Sequence, residues 1–168
     1  MSESCCITHG KIVRPGCSRG AAKEIVQAWF ACISDIETIP AATNHIVSGD
    51  ITLVDLAFFY EIELDKTKSS YDFVSEGDGE TQEYNNTVIL GVAGVASVVT
   101  NITTGFPRSS LFLIIKDKNG NYRLLGAVGD GCNQKVQEKN DPNATTLTFN
   151  WHSADLPLYY TGAITVDE

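Results

Sequence analysis

The sequence predicts a mainly β, antiparallel fold: a β-sandwich or barrel carrying one short packed α-helix and one long projecting hairpin. Three observations carry that prediction. Leu56 to Asp65 alternates with period two, and Ser110–Lys116 and Tyr122–Val128 are strand-like flanks of a glycine turn. The other apolar stretches are short, rich in β-branched and aromatic residues, and bounded by turn formers. At 168 residues the chain has the size of one domain, 1–168, with no internal repeat.

Residues 1–20 are rich in turn formers, hold most of the local basic charge, and read as an N-terminal arm. Glu24 to Ile33 is apolar with β-branched and aromatic residues, which favours a strand. Ser34 to Asp50 contains Pro40 and Gly49 and reads as a loop with a short extended piece at Ile46-Val47. In the next strand Phe58, Tyr60, Ile62 and Leu64 share one face, and Phe59, Glu61 and Glu63 the other. Because Phe58, Phe59 and Tyr60 are consecutive, at least one ring must leave the core face and meet another layer or another subunit. Residues 65–83 are polar, carry five acids from Asp72 to Glu83, and hold Gly77 and Gly79. An exposed hairpin and a disordered loop compete there, and Tyr71-Asp-Phe-Val74 favours a hairpin that projects.

A strand is expected from Tyr84 to Gly91. Val95, Val98, Val99 and Ile102 then form one helical stripe ended by Gly105-Phe-Pro107. Asn119-Gly120 is expected to supply two residues with φ > 0 to a tight hairpin between Ser110–Lys116 and Tyr122–Val128. A Gly-rich turn and a polar loop with Asp141-Pro142 follow. Thr145 to Trp151 alternates as a further strand, and Leu158 to Val166 reads as a last strand or extended arm.

The net charge is −9, from 21 acids against 12 bases, which argues against a surface that grips nucleic acid. No run of about 18 apolar residues is present to span a membrane. The opening Met1-Ser-Glu-Ser-Cys-Cys has an acid where a signal peptide needs bases, so export by that route is not expected. The sequons at Asn85, Asn101 and Asn143 then read as chance matches.

No catalytic pattern stands out, and the chain reads as a non-enzyme without cofactor or metal. His9, His45 and His152 have no acid or nucleophile at motif spacing, and no P-loop or zinc-protease pattern occurs. Cys5, Cys6, Cys17, Cys32 and Cys132 lack a completing pair at finger spacing and read as free thiols. Glu76-Gly-Asp-Gly-Glu80 has only three carboxylates at odd spacing, so a solvated turn is favoured over a calcium loop. Glu61 and Glu63 read as an exposed face or a lumen-facing row.

The order of these features resembles tail tube proteins, the major tail proteins of long-tailed bacteriophages. The resemblance runs from about residue 5 to 166 and rests on short phrases in sequence. These are Gly20-Ala-Ala-Lys-Glu-Ile-Val26, Phe59-Tyr-Glu-Ile-Glu-Leu64, the hairpin from Leu111 to Gly126, Thr146-Leu-Thr-Phe149 and Ala154-Asp-Leu-Pro157, with Ile114 to Gly126 the most specific. It implies a sandwich with one packed helix, assembled as hexameric rings that stack into a tube. The inner sheets then join in a continuous barrel around a channel that DNA passes without specific binding. Residues 65–83 would be the bridging hairpin, with Phe59, Tyr71, Phe73 and Val74 as contacts between subunits or rings. Glu61, Glu63, Asp72, Glu76, Asp78 and Glu80 would line the channel or the ring contacts. The implied partners are copies of the chain itself and the tail terminator, tail tip and tape-measure proteins. The implied location is the virion tail, assembled in the host cytoplasm. A head–tail joining or capsid decoration protein is an alternative, as is a carbohydrate- or ion-binding β-sandwich module, which calls for an exposed aromatic platform.

Overall fold

The computed structural model describes residues 24–78, 81–93, 111–138 and 144–166. The arm at 1–20, the helix expected over 95–102 and Glu80 lie outside them. The described residues are mainly β, in several sheets, with a 3-10 turn at Ile33–Asp35. The strands are β1 Ile25–Cys32, β2 Ile36–Thr38, β3 Ile46–Val47, β4 Thr52–Leu53, β5 Tyr60–Ile62, β6 Ser70–Glu76, β7 Glu83–Ala93, β8 Leu111–Asp117, β9 Tyr122–Leu125, β10 Asn133–Glu138, β11 Ala144–Ser153 and β12 Tyr159–Tyr160. One sheet runs β3-β12-β9-β8-β1-β5, a second β10-β11-β7-β6, and β2 pairs with β4 in a ribbon. Neither large sheet closes on itself, so the barrel alternative does not hold for the described residues.

β8 organises the packing. Leu111, Leu113 and Ile115 point into a core shared with Val88, Leu90, Leu147 and Phe149 of the four-stranded sheet. Phe112 and Ile114 point the other way, into a second core with Ile36, Val47, Ile51 and Tyr160. The six-stranded sheet is therefore covered on both faces, which is why its central strand reads as an unbroken apolar run. Each such buried aliphatic side chain contributes about 1.5–3 kcal/mol.

β1 follows the same two-faced logic with one interruption. Its register against β8 shifts between Ile25 and Gln27, leaving Val26 as the extra residue of a bulge. The bulge reverses side-chain parity, so Ile25, Ala28 and Phe30 all reach the first core while Trp29 and Ala31 reach the second. The strand expected over 24–33 forms, but its face assignment depends on this irregularity.

Turn chemistry differs from expectation at two places. Between β8 and β9, Gly120 has φ 86 and Asn119 is not left-handed, so the four residues from Lys118 to Asn121 hold one αL position. Asp117 closes it: the Gly120 amide donates to the Asp117 carbonyl at 3.0 Å, and Asp117 Oδ1 accepts from the Asn119 and Asn121 amides at 2.8 and 2.9 Å. This carboxylate binds the turn amides directly, which removes the need for a left-handed Asn. The turn with two positive φ values is Asn44-His45, at 52 and 67, where Thr43 and Ile46 exchange hydrogen bonds of 2.9 and 3.0 Å. The sequence reading had this only as loop before the extended piece that is β3.

The hairpin at 65–83 exists, as β6 paired with β7 from Ser70↔Ile89 to Glu76↔Glu83. It does not project as a separate arm, because β7 stays paired with β11 out to Tyr84↔Ser153. Only the turn starting at Gly77 and Asp78 lies beyond. Its base is fastened at Asp65, whose amide donates to the Gly91 carbonyl at 2.7 Å and whose Oδ1 accepts from Thr67 Oγ1 and N at 2.6 and 3.1 Å. Those two bonds hold the Asp65 carboxyl below its ordinary range. A lowered folded-state pKa means the contribution is present above the usual carboxylate range and lost as pH falls through the folded value. A Cβ at Gly91 would stand 2.6 Å from Lys68 Cβ, so this close approach requires glycine.

Two elements escaped the pattern. β10 is a polar edge strand with no apolar alternation to mark it, and the tail forms only the two residues of β12 plus a Phe59↔Val166 bridge. Asp117→Ala is expected to lower unfolding stability by about 1–3 kcal/mol, since it orphans the turn amides at a residue only 4% exposed. A urea titration of the two proteins measures this.

Candidate functional site

The candidate site is a surface: the outer faces and ends of the sheets. No group of three or more His, Cys, Asp or Glu side chains among the described residues is placed to hold a metal ion. Burial pushes the Cys132 thiol far up, and burial followed by the nearby Asp35 charge raises Cys32, so both stay protonated and inert near neutral pH. No helix among the described residues is long and apolar enough to cross a membrane.

The face alternation expected for the β5 region holds, and its consequence is internal. Ile62 and Leu64 face the first core, while Tyr60 on the same side is 41% exposed, its ring stacked on Phe30 at 5.5 Å. Phe59 turns the other way and is 1% exposed, packed on Phe112 at 6.3 Å in the second core. Of the two destinations open to such a ring, it meets another layer of its own chain. It is therefore corrected from a subunit contact to a core residue. Glu61 lies opposite Trp29 on that same side and accepts from Gln27 Nε2 at 3.1 Å. Gln27 Oε1 accepts in turn from Lys116 Nζ at 3.2 Å, and Lys116 stands over the Tyr122 ring at 5.2 Å. Glu63 is exposed just past the end of β5.

The hairpin candidates divide by parity. Tyr71 and Phe73 face inward, half-buried against the first core, with ring centroids 4.8 Å apart. Arg123 reaches over Phe73 at 6.0 Å and stacks on Tyr159 at 3.5 Å. Asp72, Val74 and Glu76 face outward. Their neighbours on the outer face of the four-stranded sheet are Glu83, Asn85, Thr87, Thr148, Asn150 and His152. Glu76 stands directly opposite Glu83, and Asn85 Nδ2 donates to Glu76 Oε1 at 3.2 Å. Thr87 Oγ1 and Asn150 Oδ1 are joined at 3.0 Å across the same face. Asp78 sits in the exposed turn.

The acids proposed together from sequence thus occupy separate surfaces. Asp72 and Glu76 lie outside the four-stranded sheet, while Glu61 lies on the side of the six-stranded sheet that faces away from it. The sequence reading missed Glu83, Asn85 and Asn150 as members of the first surface; the period-two register of β7 was the signal that would have placed them.

The six-stranded sheet also bears two clefts that meet at Tyr122 and Thr161. One, of about 470 Å³, is lined by Ile46, Tyr122, Tyr159 and Tyr160; the other, of about 480 Å³, by Trp29, Glu61, Tyr122 and Ile164. Trp29 is 6% exposed and so forms the floor of its cleft instead of the aromatic platform a carbohydrate module calls for. Phe59→Ala is expected to cost about 3–5 kcal/mol of stability, and Val74→Ala, on the outer face, within about 0.5 kcal/mol. Chemical denaturation compares them, and equal, small effects would return Phe59 to the surface. Comparison with protein-family models, with curated proteins and with solved structures finds no match for this chain.

Proposed function

We propose that the chain is a structural, non-enzymatic virion protein that assembles with itself into stacked hexameric rings, forming the tail tube of a long-tailed bacteriophage. The observation that carries this reading is the outer face of the four-stranded sheet. It is extended and mostly polar, with Val74 and Ile89 among its residues, bears Asp72, Glu76 and Glu83, and lies over the first core. Set around a channel, that face presents carboxylates and hydroxyls to DNA and repels phosphate without offering a place to bind. The sandwich packing of two open sheets supports the same reading, since sheet ends are places where identical neighbours add.

In this arrangement the lumen-lining acids are Asp72 and Glu76, joined by Glu83, and the tip at Asp78 reaches toward the next ring. Glu61 and Glu63 belong to the other side and leave the lining. Tape-measure, terminator and tip proteins are the expected further partners. A head–tail joining or decoration protein shares these surfaces but stops at one ring or a trimer.

Negative-stain microscopy and sedimentation of the purified full chain decide between these. Tubes of uniform bore are expected; single rings favour the joining protein, and a monomer at high concentration overturns self-assembly altogether. In assembled particles, Asp72→Lys with Glu76→Lys is expected to slow DNA ejection, whereas Glu61→Lys with Glu63→Lys leaves it unchanged. The reverse pattern would place the channel on the opposite side.

A further inference from the structure

Asn119-Gly120 is the only Asn-Gly pair in the chain; each of the other nine asparagines is followed by a residue with a side chain. The amide nitrogen after an asparagine can attack the carboxamide carbon of that asparagine, and a side chain on the following residue shields the nitrogen. Glycine has none. Here the pair is open to water. Lys118, Asn119, Gly120 and Asn121 are all exposed, and nothing lies within 4 Å of where a Gly120 Cβ would stand. Among the described residues the Asn119 carboxamide makes no hydrogen bond that would hold it away from Gly120; its bond in the turn is through the backbone.

The turn opposes the attack through one neighbour. The Gly120 amide donates its proton to the Asp117 carbonyl at 3.0 Å, so its lone pair is freed only when that bond opens. The Asp117 carboxylate pins the chain on both sides of Gly120. Its Oδ1 accepts from the Asn119 and Asn121 amides at 2.8 and 2.9 Å, and its Oδ2 from Asn121 Nδ2 at 3.2 Å. The Lys118 amide ties the same turn to the Glu24 carbonyl at 3.1 Å. Reaction at Asn119 therefore waits on local opening of a turn that one carboxylate holds shut.

We propose that Asn119 is a site of spontaneous covalent modification, converting to aspartate and isoaspartate, and that Asp117 sets the rate by closing the turn around Gly120. In the first step Gly120 N loses its proton to solvent and bonds to Asn119 Cγ. The Cγ–Nδ2 bond breaks, and ammonia leaves with a proton taken from water. Water then opens the five-membered ring at either carbonyl, leaving the free carboxylate on the side chain or on the former main chain. In sum, one carboxamide and one water give one carboxylate and one ammonium ion, with no electron transferred. Each event adds a negative charge two residues from Asp117. The isoaspartate form also lengthens, by one backbone atom, the turn that ties Glu24 and borders the tyrosine-lined cleft.

The test holds the full chain in mildly alkaline buffer, folded and in urea, and follows the Asn119 peptide by mass spectrometry, with an isoaspartyl methyltransferase counting isoaspartate. In the folded protein Asn119 is expected to convert ahead of the other asparagines, and more slowly than in urea. Asp117→Ala is expected to raise the folded rate about ten-fold, since two turn amides lose their acceptor. Asp117→Asn keeps an acceptor for both amides and is expected to restore the slow rate. Val88→Ala weakens the core without touching the turn, and is expected to leave the Asn119 rate unchanged. Conversion no faster at Asn119 than at other asparagines would overturn the site. A wild-type rate equal in buffer and in urea would overturn the guarding role, with no variant needed. A folded Asp117→Ala protein that converts at the wild-type rate, or a Val88→Ala protein as fast as Asp117→Ala, would do the same.

Discussion

The constraint on which the rest of this structure depends is that the six-stranded sheet is apolar on both faces and must be covered twice. β8 imposes it, since Leu111 to Ile115 is a run of five buried residues with no polar side to present to water. The four-stranded sheet covers one face. The other packs against pieces that are poor strands by themselves, the β2–β4 ribbon, Ile51 and the tail at Ile164, while Val47 and Tyr160 join that core from β3 and β12 of the sheet itself. Tyr160 shows how these pieces are tied, accepting from the Ile51 amide at 3.3 Å and donating to the Ala163 carbonyl at 2.6 Å from within the second core. A long irregular segment and a short tail become ordered because an apolar sheet face lies beneath them.

That division of labour decides which surfaces remain for function. The four-stranded sheet is covered once, and its outer face keeps polar and acidic side chains in alternation with the core positions. The six-stranded sheet has spent both faces, so what it offers is at its ends, among them the tyrosine-lined cleft. A proposed tube uses both kinds of surface, the polar face toward DNA and the sheet ends toward neighbouring copies.

Local polar chemistry reinforces the same frame. Asp117 gathers the amides of one hairpin and Asp65 fastens the base of the other, so two of the chain's acids are structural and unavailable to any lining. Asn86 is fully buried, its Nδ2 donating to the Trp151 carbonyl at 3.1 Å and to Ser153 Oγ at 2.8 Å, locking β7 to β11 where the hairpin leaves the core. An acidic composition therefore does not translate directly into an acidic surface; each carboxylate has to be located.

Much of this was legible in the residues. The period-two pattern around Tyr60 and Ile62, the run in β8, the alternation of β11 and the apolar stretch of β1 determined that the chain is β, and which residues face a core, because side-chain parity is a local property of an extended backbone. What the far face of β5 meets was not local. Phe59 found a layer of its own chain because residues 36–58 and the tail fold over the sheet, and no spacing in sequence announces that. The bulge at Val26 inverted the faces of β1, and the polar edge strand β10 carried no periodic signal. Asn44-His45 took a double left-handed turn closed by Thr43 and Ile46, and at Asn119-Gly120 the Asp117 carboxylate supplied the turn's hydrogen bonds with only Gly120 left-handed. Separation of Glu61 from Asp72 and Glu76 was likewise a tertiary outcome: acids equivalent by composition ended on opposite sides because their strands joined different sheets. The sequence by itself determined the strands and their buried faces, where neighbours in the chain decide; only the packing of layers decided which outward faces stay exposed, because that depends on contacts between residues far apart along the chain.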